Sequence, residues 1–212
     1  MKRMLLLVGA FAFPVAVTFA QPAADKPDLA KARTIVEQVC AACHGADGNS
    51  PSPVNPSLAG MPAEYISLQL AHFKSGIRAN AVMLGMSASL TDADMKALGT
   101  YFAQQKPKGL AAKDPALVEA GTSIYRTGVA ATGIPACSAC HGPNGAGVPK
   151  NYPRLGGQHG DYTYAQLKAF RSGERGADKG GKDINGRIMA TIAARMTDAQ
   201  MRAVAEFTQG LR

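Results

Sequence analysis

Two copies of one short motif contain all four cysteines of the 212-residue chain. The segments Cys40-Ala-Ala-Cys-His44 and Cys137-Ser-Ala-Cys-His141 both read C-x-x-C-H, the pattern at which c-type haem is attached. Thiols three positions apart lie on one face of a turn, where they can form thioethers with two vinyl groups of one porphyrin. The motifs therefore predict two covalent haem c groups. The predicted thioether residues are Cys40, Cys43, Cys137 and Cys140, and the predicted proximal iron ligands are His44 and His141.

A C-x-x-C pair is also found in zinc sites and in redox-active dithiols. Zinc sites pair two such motifs about 15–20 residues apart, whereas Cys43 and Cys137 are 94 positions apart. A thioredoxin-like dithiol requires a βαβ context, which the pattern of this chain does not provide. Both alternatives are less well supported than haem attachment.

The amino-terminal residues are typical of a secretory signal peptide. Lys2 and Arg3 precede an apolar run at residues 5–19, and Ala20-Gln21 is a plausible cleavage point. The apolar run is short for a membrane span, although an uncleaved anchor is the alternative. Beyond residue 20 we find no stretch apolar enough to cross a bilayer. We therefore expect a signal peptide at 1–20 and a mature protein that is exported from the cytoplasm.

The chain repeats itself after an offset of 97 residues, which indicates an internal duplication. The offset changes to 106 towards the carboxyl terminus, so the second copy has nine extra residues within 174–186. We expect two haem domains, at 21–109 and 110–212. The matched pairs after the motifs include Pro56/Pro153, Leu58/Leu155, Gly60/Gly157, Tyr65/Tyr162, Gln69/Gln166, Phe73/Phe170, Ser75/Ser172, Gly76/Gly173 and Arg78/Arg175.

The periodicity of apolar residues predicts the same short helical plan twice, and no useful strand pattern. Helices are expected at 29–39, at 63–74 and from a Thr91 cap to about residue 105. In the second copy they are expected at 115–127, at 161–171 and from a Thr197 cap to about residue 209. Residues 105–113, which include Pro107 and Gly109, are the predicted linker. The fold class is all-α.

A sixth iron ligand is expected from methionine, because its soft thioether favours ferrous iron. The candidates are Met61, Met83, Met86, Met95, Met189, Met196 and Met201. Most methionines only fill core space. We therefore select the candidates that occupy equivalent positions in both copies of the repeat. Met83 and Met189 each lie eight residues before a capping threonine, in a predicted loop that could bend over the haem. We predict these two as the axial ligands, with Met86 as the main rival in the first domain.

The remaining methionines fit less well. Met61 is matched by Gln158 in the repeat, and Met86 is matched by Ile192, so neither has a methionine counterpart. Met95 and Met201 do match each other, but both lie inside the last predicted helix of their copy and are expected in the core.

Pro56 and Pro153 each lie twelve residues after the histidine of their motif. A metal-ligating imidazole generally donates its other N–H to a carbonyl or carboxylate, and this fixes the ring orientation. The proline carbonyls can accept such a bond. The alternative is that both prolines are ordinary loop residues, but their matched spacing favours a role next to the haem.

Taken in order, the C-x-x-C-H motif, Pro-x-Leu-x-Gly and a methionine before a capped helix make each half resemble a class I cytochrome c domain. The tandem resembles the dihaem cytochrome c4 family, chiefly through the paired Gln-Leu-x-x-Phe-x-Ser-Gly segments at 69–76 and 166–173. The resemblance implies His44/Met83 and His141/Met189 as axial pairs, with Pro56 and Pro153 accepting the histidine hydrogen bonds. The chain departs from the family pattern at 176–186, which is longer and more basic.

The resemblance also implies a function. Proteins of this family look like periplasmic electron carriers, often loosely attached to the inner membrane. They accept electrons from a cytochrome bc complex and pass them to a terminal oxidase, commonly of the cbb3 type. The expected reaction is outer-sphere electron transfer through exposed haem edges, and the protein is not expected to be an enzyme.

Charge distinguishes the two halves. Residues 21–109 carry eight Lys/Arg and seven Asp/Glu, whereas residues 110–212 carry thirteen and eight. We expect the second domain to dock on acidic partners or an anionic membrane face, the alternative being a solvated basic loop. Nucleic acid is not an expected partner of an exported haem protein. The basic residues of the second half cluster at Lys168, Arg171, Arg175, Lys179, Lys182 and Arg187.

Two other functions remain open. An enzyme such as a dihaem thiosulfate dehydrogenase or a small peroxidase would need an iron with a labile or unusual ligand. His72 and His159 could in principle supply one, but neither has a histidine counterpart in the repeat. His72 lies in a predicted helix and is expected at the surface or in packing. The other alternative is the dihaem electron-transfer subunit of a dehydrogenase, as in a flavocytochrome.

Overall fold

The computed structural model describes residues 26–177 and 180–212, so the predicted signal peptide lies outside the described residues. Within these two ranges the chain is helical, and its only β-type pairings are two isolated bridges, Val129 with Ile134 and Val148 with Tyr152. The helices are α1 (Leu29–Ile35), α2 (Ala41–His44), α3 (Ala63–Lys74), α4 (Ala81–Ser87), α5 (Asp92–Ala103), α6 (Pro115–Thr127), α7 (Ser138–His141), α8 (Gly160–Ser172), α9 (Ile184–Ala193) and α10 (Asp198–Gly210), with a π-helical turn at Val36–Cys40 and a 3₁₀ turn at Ala130–Thr132.

The helix that leads into the first motif is not a regular α-helix along its whole length. Asp28 caps α1 by accepting a hydrogen bond from the Lys31 amide (2.9 Å), but the chain then widens into the π-helical turn Val36–Cys40. The turn ends at the first cysteine of the motif. A hydrophobic period does not distinguish a π turn from an α-helix, which explains why the single predicted helix at 29–39 is divided here.

A capping box starts the last helix of each half. The Thr91 hydroxyl accepts from the Asp94 amide (3.2 Å) while the Asp94 carboxylate accepts from the Thr91 amide (3.0 Å). Thr197 and Gln200 make the equivalent pair at α10. Lys31 contacts Asp94 at 2.6 Å and, together with the Thr91 bonds, lowers the pKa of that carboxyl to about 2. The cap therefore also ties α1, which precedes the first motif, to α5.

Each half has its own apolar core. In the first half α3 and α1 pack on α5, and in the second half α8 and α6 pack on α10. Met95 and Met201, predicted as core residues, are buried in the two clusters. The first core consists of Ala32, Val36, Met61, Ile66, Leu90, Met95, Ala97, Leu98 and Phe102, and the second of Ile124, Ile134, Leu167, Phe170, Ala193, Met196, Met201, Ala203 and Val204.

The two halves meet through a network of side chains that the repeat makes equivalent. Both arginines of the network are only 9% exposed, and each guanidinium donates to a tyrosine and a glutamine of the other half. The bonds are Arg78 to Tyr162 Oη (2.9 Å) and Gln166 Oε1 (2.9 Å), and Arg175 to Tyr65 Oη (2.9 Å) and Gln69 Oε1 (3.1 Å).

The segment between α5 and α6 is divided between the two halves. Asn49 of the first half accepts from the Lys108 amide (2.8 Å) and donates to the Lys106 carbonyl (3.1 Å). Further along, Gln209 of α10 donates to the Ala111 carbonyl (2.8 Å). The attachment therefore changes from the first half to the second between residues 108 and 111.

No helix in the described ranges is both long enough and apolar enough to span a bilayer.

Gly121 permits the close crossing of α6 on α10. A Cβ at this position would overlap the carbonyl of Ala203 and the side chain of Phe207. We expect Gly121→Ala to lower the free energy of unfolding by about 1–3 kcal/mol, the usual cost of overpacking. Denaturant unfolding of the haem-loaded protein measures it. The control is Ser123→Ala on the exposed face of the same helix, which should change stability by less than about 0.5 kcal/mol. Equal effects of the two substitutions would contradict the close-packing explanation.

Candidate haem sites

The first motif begins at the end of the π-helical turn and continues through one short helix. Cys40 ends that turn, and α2 carries Cys43 and His44. Both thiols are unpaired, and Cys43 is exposed. The His44 ring is buried, and its Nδ1 lies 2.9 Å from the carbonyl oxygen of Pro56, twelve residues further on.

The second motif repeats this geometry. Cys137 caps α7, which carries Cys140 and His141. Both thiols are unpaired and partly buried. The His141 ring is buried, and its Nδ1 lies 2.9 Å from the carbonyl oxygen of Pro153. Each of the two motifs thus places two thiols within one helical turn of a buried imidazole.

The loop from each motif to its proline is held in the same way. The Gly48 carbonyl accepts hydrogen bonds from the amides of Leu58 (2.6 Å) and Ala59 (3.0 Å). In the second loop the Gly145 carbonyl accepts from the amides of Leu155 (2.8 Å) and Gly156 (2.9 Å). Both acceptor glycines have positive φ, a backbone conformation that residues with a Cβ rarely adopt. These turns place the two prolines opposite their histidines.

A tyrosine anchors the chain just after each histidine, and sequence reasoning did not identify either one. Tyr101 of α5 donates to the Ala46 carbonyl (3.1 Å), and Tyr125 of α6 donates to the Gly142 carbonyl (2.6 Å). The two tyrosines are not equivalent in the repeat and come from different helices. Internal alignment therefore carries no signal for them.

The hydrogen bonds define the protonation state of the two histidines. A carbonyl oxygen can only accept, so Nδ1 of each ring must carry the proton. Burial lowers the pKa of His44 and of His141, and the bond to the proline carbonyl opposes that shift in part. Both rings are therefore neutral at pH 7, which leaves the Nε2 lone pair of each ring as a donor for a metal.

Burial also affects the first cysteine of each motif. Burial raises the pKa of the Cys40 thiol and of the Cys137 thiol to about 11. These sulfurs are therefore uncharged at neutral pH, and a thioether sulfur, which is also uncharged, would suit the same buried surroundings. Two thiols, one neutral imidazole and an apolar core around them fit a covalently attached haem in each half.

The predicted axial methionines lie on helices, not in loops as expected. Met83 is on α4 and Met189 is on α9, and both are half-buried. Asn80 caps α4 by accepting from the Met83 amide (2.9 Å), and Asp183 caps α9 by accepting from the Gly186 amide (2.8 Å). The capping residue types were readable from the sequence, so the two short helices could have been predicted.

The rival methionines have other environments. Met86 lies on α4 with 47% of its surface exposed. Met61 is buried, and its sulfur accepts a hydrogen bond from the Arg154 amide of the second half (3.2 Å). Met196 is buried in the second core. The contact made by Met61 was not foreseen.

The two extra histidines both lie in buried positions between the halves. The Nδ1 of His72, on α3, lies 4.0 Å from the Asp183 carboxylate. Asp183 belongs to the segment 174–186, which contains the extra residues of the second half. His159 places its Nε2 2.9 Å from the Ser50 carbonyl. His72 is thus a packing residue and not a surface one.

Both halves of the chain match known families of proteins. A family model described as "Cytochrome c" matches residues 118–212, and one described as "Cytochrome C oxidase, cbb3-type, subunit III" matches residues 27–102. Cytochrome c4 of Azotobacter vinelandii is 43% identical over 183 residues, which cover 82% of this chain and 84% of that protein. The solved structure of reduced recombinant cytochrome c4 from Pseudomonas stutzeri superposes with a TM-score of 0.79 at 38% identity, over 88% of this chain and 100% of that chain. The chain belongs to the cytochrome c4 family.

Membership confirms the resemblance, the all-α fold and the two cytochrome c domains. It also confirms the cofactor, since each domain holds one haem c at a C-x-x-C-H motif, and the coarse function of a dihaem electron carrier. A further relative is named a thiosulfate dehydrogenase electron acceptor in Thiomonas intermedia. It is 44% identical over 171 residues, which cover 79% of this chain and 76% of that protein.

Each pair of cysteines should attach one haem. In a variant with both Cys40→Ala and Cys43→Ala, we expect haem covalently bound per chain to fall by half, because the second motif is untouched. Haem absorbance of the denatured protein, relative to protein mass, measures this. Ala41→Ser is the control, since serine occupies the equivalent position 138 of the second motif, and it should retain both haems. Retention of both haems in the double variant would contradict the assignment.

Proposed function

We propose that the protein is an exported, periplasmic carrier that accepts electrons from a cytochrome bc complex and passes them to a terminal oxidase of the cbb3 type. The observation that carries this proposal is the equivalence of the two sites. Both sites have two thiols, a buried histidine and a proline carbonyl in the same arrangement, and an interface of buried side chains joins them. A protein with two matched one-electron centres on a fixed frame is suited to carrying electrons, and it needs no substrate pocket.

We propose His44 with Met83, and His141 with Met189, as the axial ligand pairs. Bound haem supplies a one-electron couple between ferric and ferrous iron. The helices α4 and α9, which carry the methionines, pack on α3 and α8 respectively. These contacts hold the helix that carries each methionine against the rest of its domain. Pro56 and Pro153 would hold the ring orientation of the two histidines.

We propose a domain boundary between residues 109 and 110. The support for it is the change of hydrogen-bond partners along the connecting segment, from Asn49 at residues 106–108 to Gln209 at residue 111. The first domain would then be 21–109 and the second 110–212.

The basic surface of the second domain is smaller than the sequence indicated. Arg175 is buried between the halves, with its guanidinium 4.4 Å from the centroid of the Phe170 ring. Lys179 lies outside the described residues. The four other predicted residues, Lys168, Arg171, Lys182 and Arg187, are exposed.

Lys168 and Arg171 lie on α8 beside another exposed cation, Arg202 of α10. Arg171 and Arg202 contact the Asp198 carboxylate at 3.6 Å and 3.1 Å. Lys168 and Arg202 both lie over the Tyr164 ring, 5.4 Å and 4.3 Å from its centroid, so three cations share this face. We propose that it docks on acidic redox proteins, because a positive surface steers a negatively charged partner towards it. Loose attachment to an anionic membrane face would use the same charges.

A second candidate is the role of electron acceptor for a thiosulfate dehydrogenase. The relative from Thiomonas intermedia that carries this name supports it. The two candidates share the carrier chemistry and differ in the protein that supplies the electrons.

The methionine assignment is tested by substitution. We expect Met83→Ala to remove the near-infrared methionine–iron band of one haem and to let about half of the haem bind carbon monoxide, because one axial position becomes open. Met189→Ala should do the same at the other haem. Met86→Ala is the control on the same helix and should leave the spectrum unchanged. If Met86→Ala gives the loss and Met83→Ala does not, the rival is the ligand.

The donor and the docking face are tested together by stopped-flow reduction of the oxidised protein. We expect rapid reduction by a quinol-charged cytochrome bc complex, slower reduction as salt rises, and a further decrease of about three- to tenfold in Lys168→Glu at low salt. Lys96→Glu makes the same charge change on an exposed site of the first domain and should have a much smaller effect. Rapid reduction only by thiosulfate dehydrogenase with thiosulfate would favour the second candidate. A rate independent of salt would contradict docking through this face.

A further inference from the structure

One peptide group in the first domain is hydrogen-bonded at both of its ends. The carbonyl oxygen of Pro56 accepts from His44 Nδ1 (2.9 Å). The N–H of the same peptide group belongs to Ser57, and it donates to Oε1 of Gln158 (2.8 Å). Gln158 belongs to the second domain and is 5% exposed. A side chain of one domain is thus connected to the haem-site histidine of the other domain through a single peptide group.

The second domain has the mirror arrangement with a different acceptor. The carbonyl oxygen of Pro153 accepts from His141 Nδ1 (2.9 Å), and the N–H of that peptide group belongs to Arg154. This N–H points to the sulfur of Met61, which belongs to the first domain and is 6% exposed (3.2 Å). Met61 and Gln158 occupy equivalent positions of the repeat.

Hydrogen bonds that share a peptide group strengthen one another. When the N–H end donates to a good acceptor, electron density at the carbonyl oxygen increases, and the oxygen becomes a better acceptor in turn. A stronger bond from the histidine Nδ1–H then makes the imidazole a more basic ligand. A more basic ligand favours ferric iron over ferrous iron, which lowers the reduction potential.

The two acceptors differ in strength. A glutamine carbonyl oxygen is a full hydrogen-bond acceptor, whereas a thioether sulfur is a weak one. The peptide group next to His44 should therefore be polarised more than the one next to His141, although the histidine-to-proline distance is the same at both sites.

We propose that Gln158 and Met61 are positioning residues that act across the domain interface on the histidine of the opposite domain, and that their difference holds the first haem at a lower reduction potential than the second. This inference rests on the proposed function in one respect, that His44 and His141 are the proximal ligands. It assigns a role in electron flow to a pair of side chains that the axial ligand sets do not include.

Gln158 also has a structural role that the experiment has to separate. Its Nε2 donates to the Ser57 carbonyl (2.9 Å), and its Oε1 also accepts from the His159 amide (3.0 Å). A substitution could therefore loosen the interface as well as weaken the bond to the Ser57 N–H. Loosening would act on both haems in the same direction, whereas the proposed effect is specific to one haem and has a defined sign.

The experiment exchanges the two side chains in the haem-loaded protein. In Gln158→Met we expect the potential of the first haem to rise, and in Met61→Gln we expect that of the second haem to fall. Each ferrous-to-ferric ratio at fixed potential should change about two- to fivefold, or about 20–40 mV at 59 mV per tenfold for one electron. A redox titration followed by NMR, which resolves the two haems, measures both. Shifts of both haems in one direction, or no shift in either variant, would overturn the proposal.

The Nδ1–H proton resonance of the histidines gives a second readout that does not depend on electron transfer. It should move for His44 only in Gln158→Met, and for His141 only in Met61→Gln. Gln69→Met removes an amide from the same interface without touching either proline peptide, so it should leave both resonances in place. A His44 resonance that moves equally in Gln69→Met and Gln158→Met would contradict the relay.

The wild-type spectrum separates the two levels of inference. If the wild-type haems lack low-spin histidine–methionine signatures, the proposed ligand pairs are wrong. If the signatures are present and the exchange variants show no opposite, site-specific shifts, only the cross-domain relay is wrong. Should Gln158→Met fail to load haem, Met61→Gln still tests the proposal at the other site.

Discussion

The hydrogen bond from each motif histidine to a proline carbonyl connects the local chemistry of this protein to its tertiary structure. It holds the imidazole in one tautomer, with the Nδ1 proton towards the carbonyl, and leaves the Nε2 lone pair as the donor for a metal. The bond forms only because a turn with a glycine acceptor brings the proline back over twelve residues. Helix packing, loop turns and the interface can all influence the orientation of the histidine through this one contact.

Duplication places two such sites on one frame and makes the interface between them nearly symmetric. Arg78 and Arg175 cross into the opposite half and share the two glutamine side chains, so neither half completes its own network. Where the repeat is broken, as at Met61 and Gln158, the two sites acquire different surroundings. Small asymmetries in a symmetric frame give a direct way to make two similar haems unequal.

Much of the fold and of the sites was predictable because it depends on residues close together in the chain. The motif cysteines and histidines, the threonine caps and the boundaries of α3 and α6 all follow local rules. The π-helical turn that ends at Cys40 and the helices carrying Met83 and Met189 were not predicted. A π turn has no distinct apolar period, and the clearest local signal of the two short helices is a single capping residue, Asn80 or Asp183.

The sequence by itself determined the cofactor, the number of domains and the spacing from each histidine to its proline, since covalent attachment and duplication are written in residue types and offsets. Tertiary structure alone decided which side chains meet across the interface. It buried Arg175, which the sequence had assigned to the basic surface. It also brought Gln158 to the amide of Ser57, 101 positions earlier in the chain, whose peptide group accepts the His44 hydrogen bond. Contacts between distant segments depend on how two folded halves fit together, and no local pattern encodes that fit.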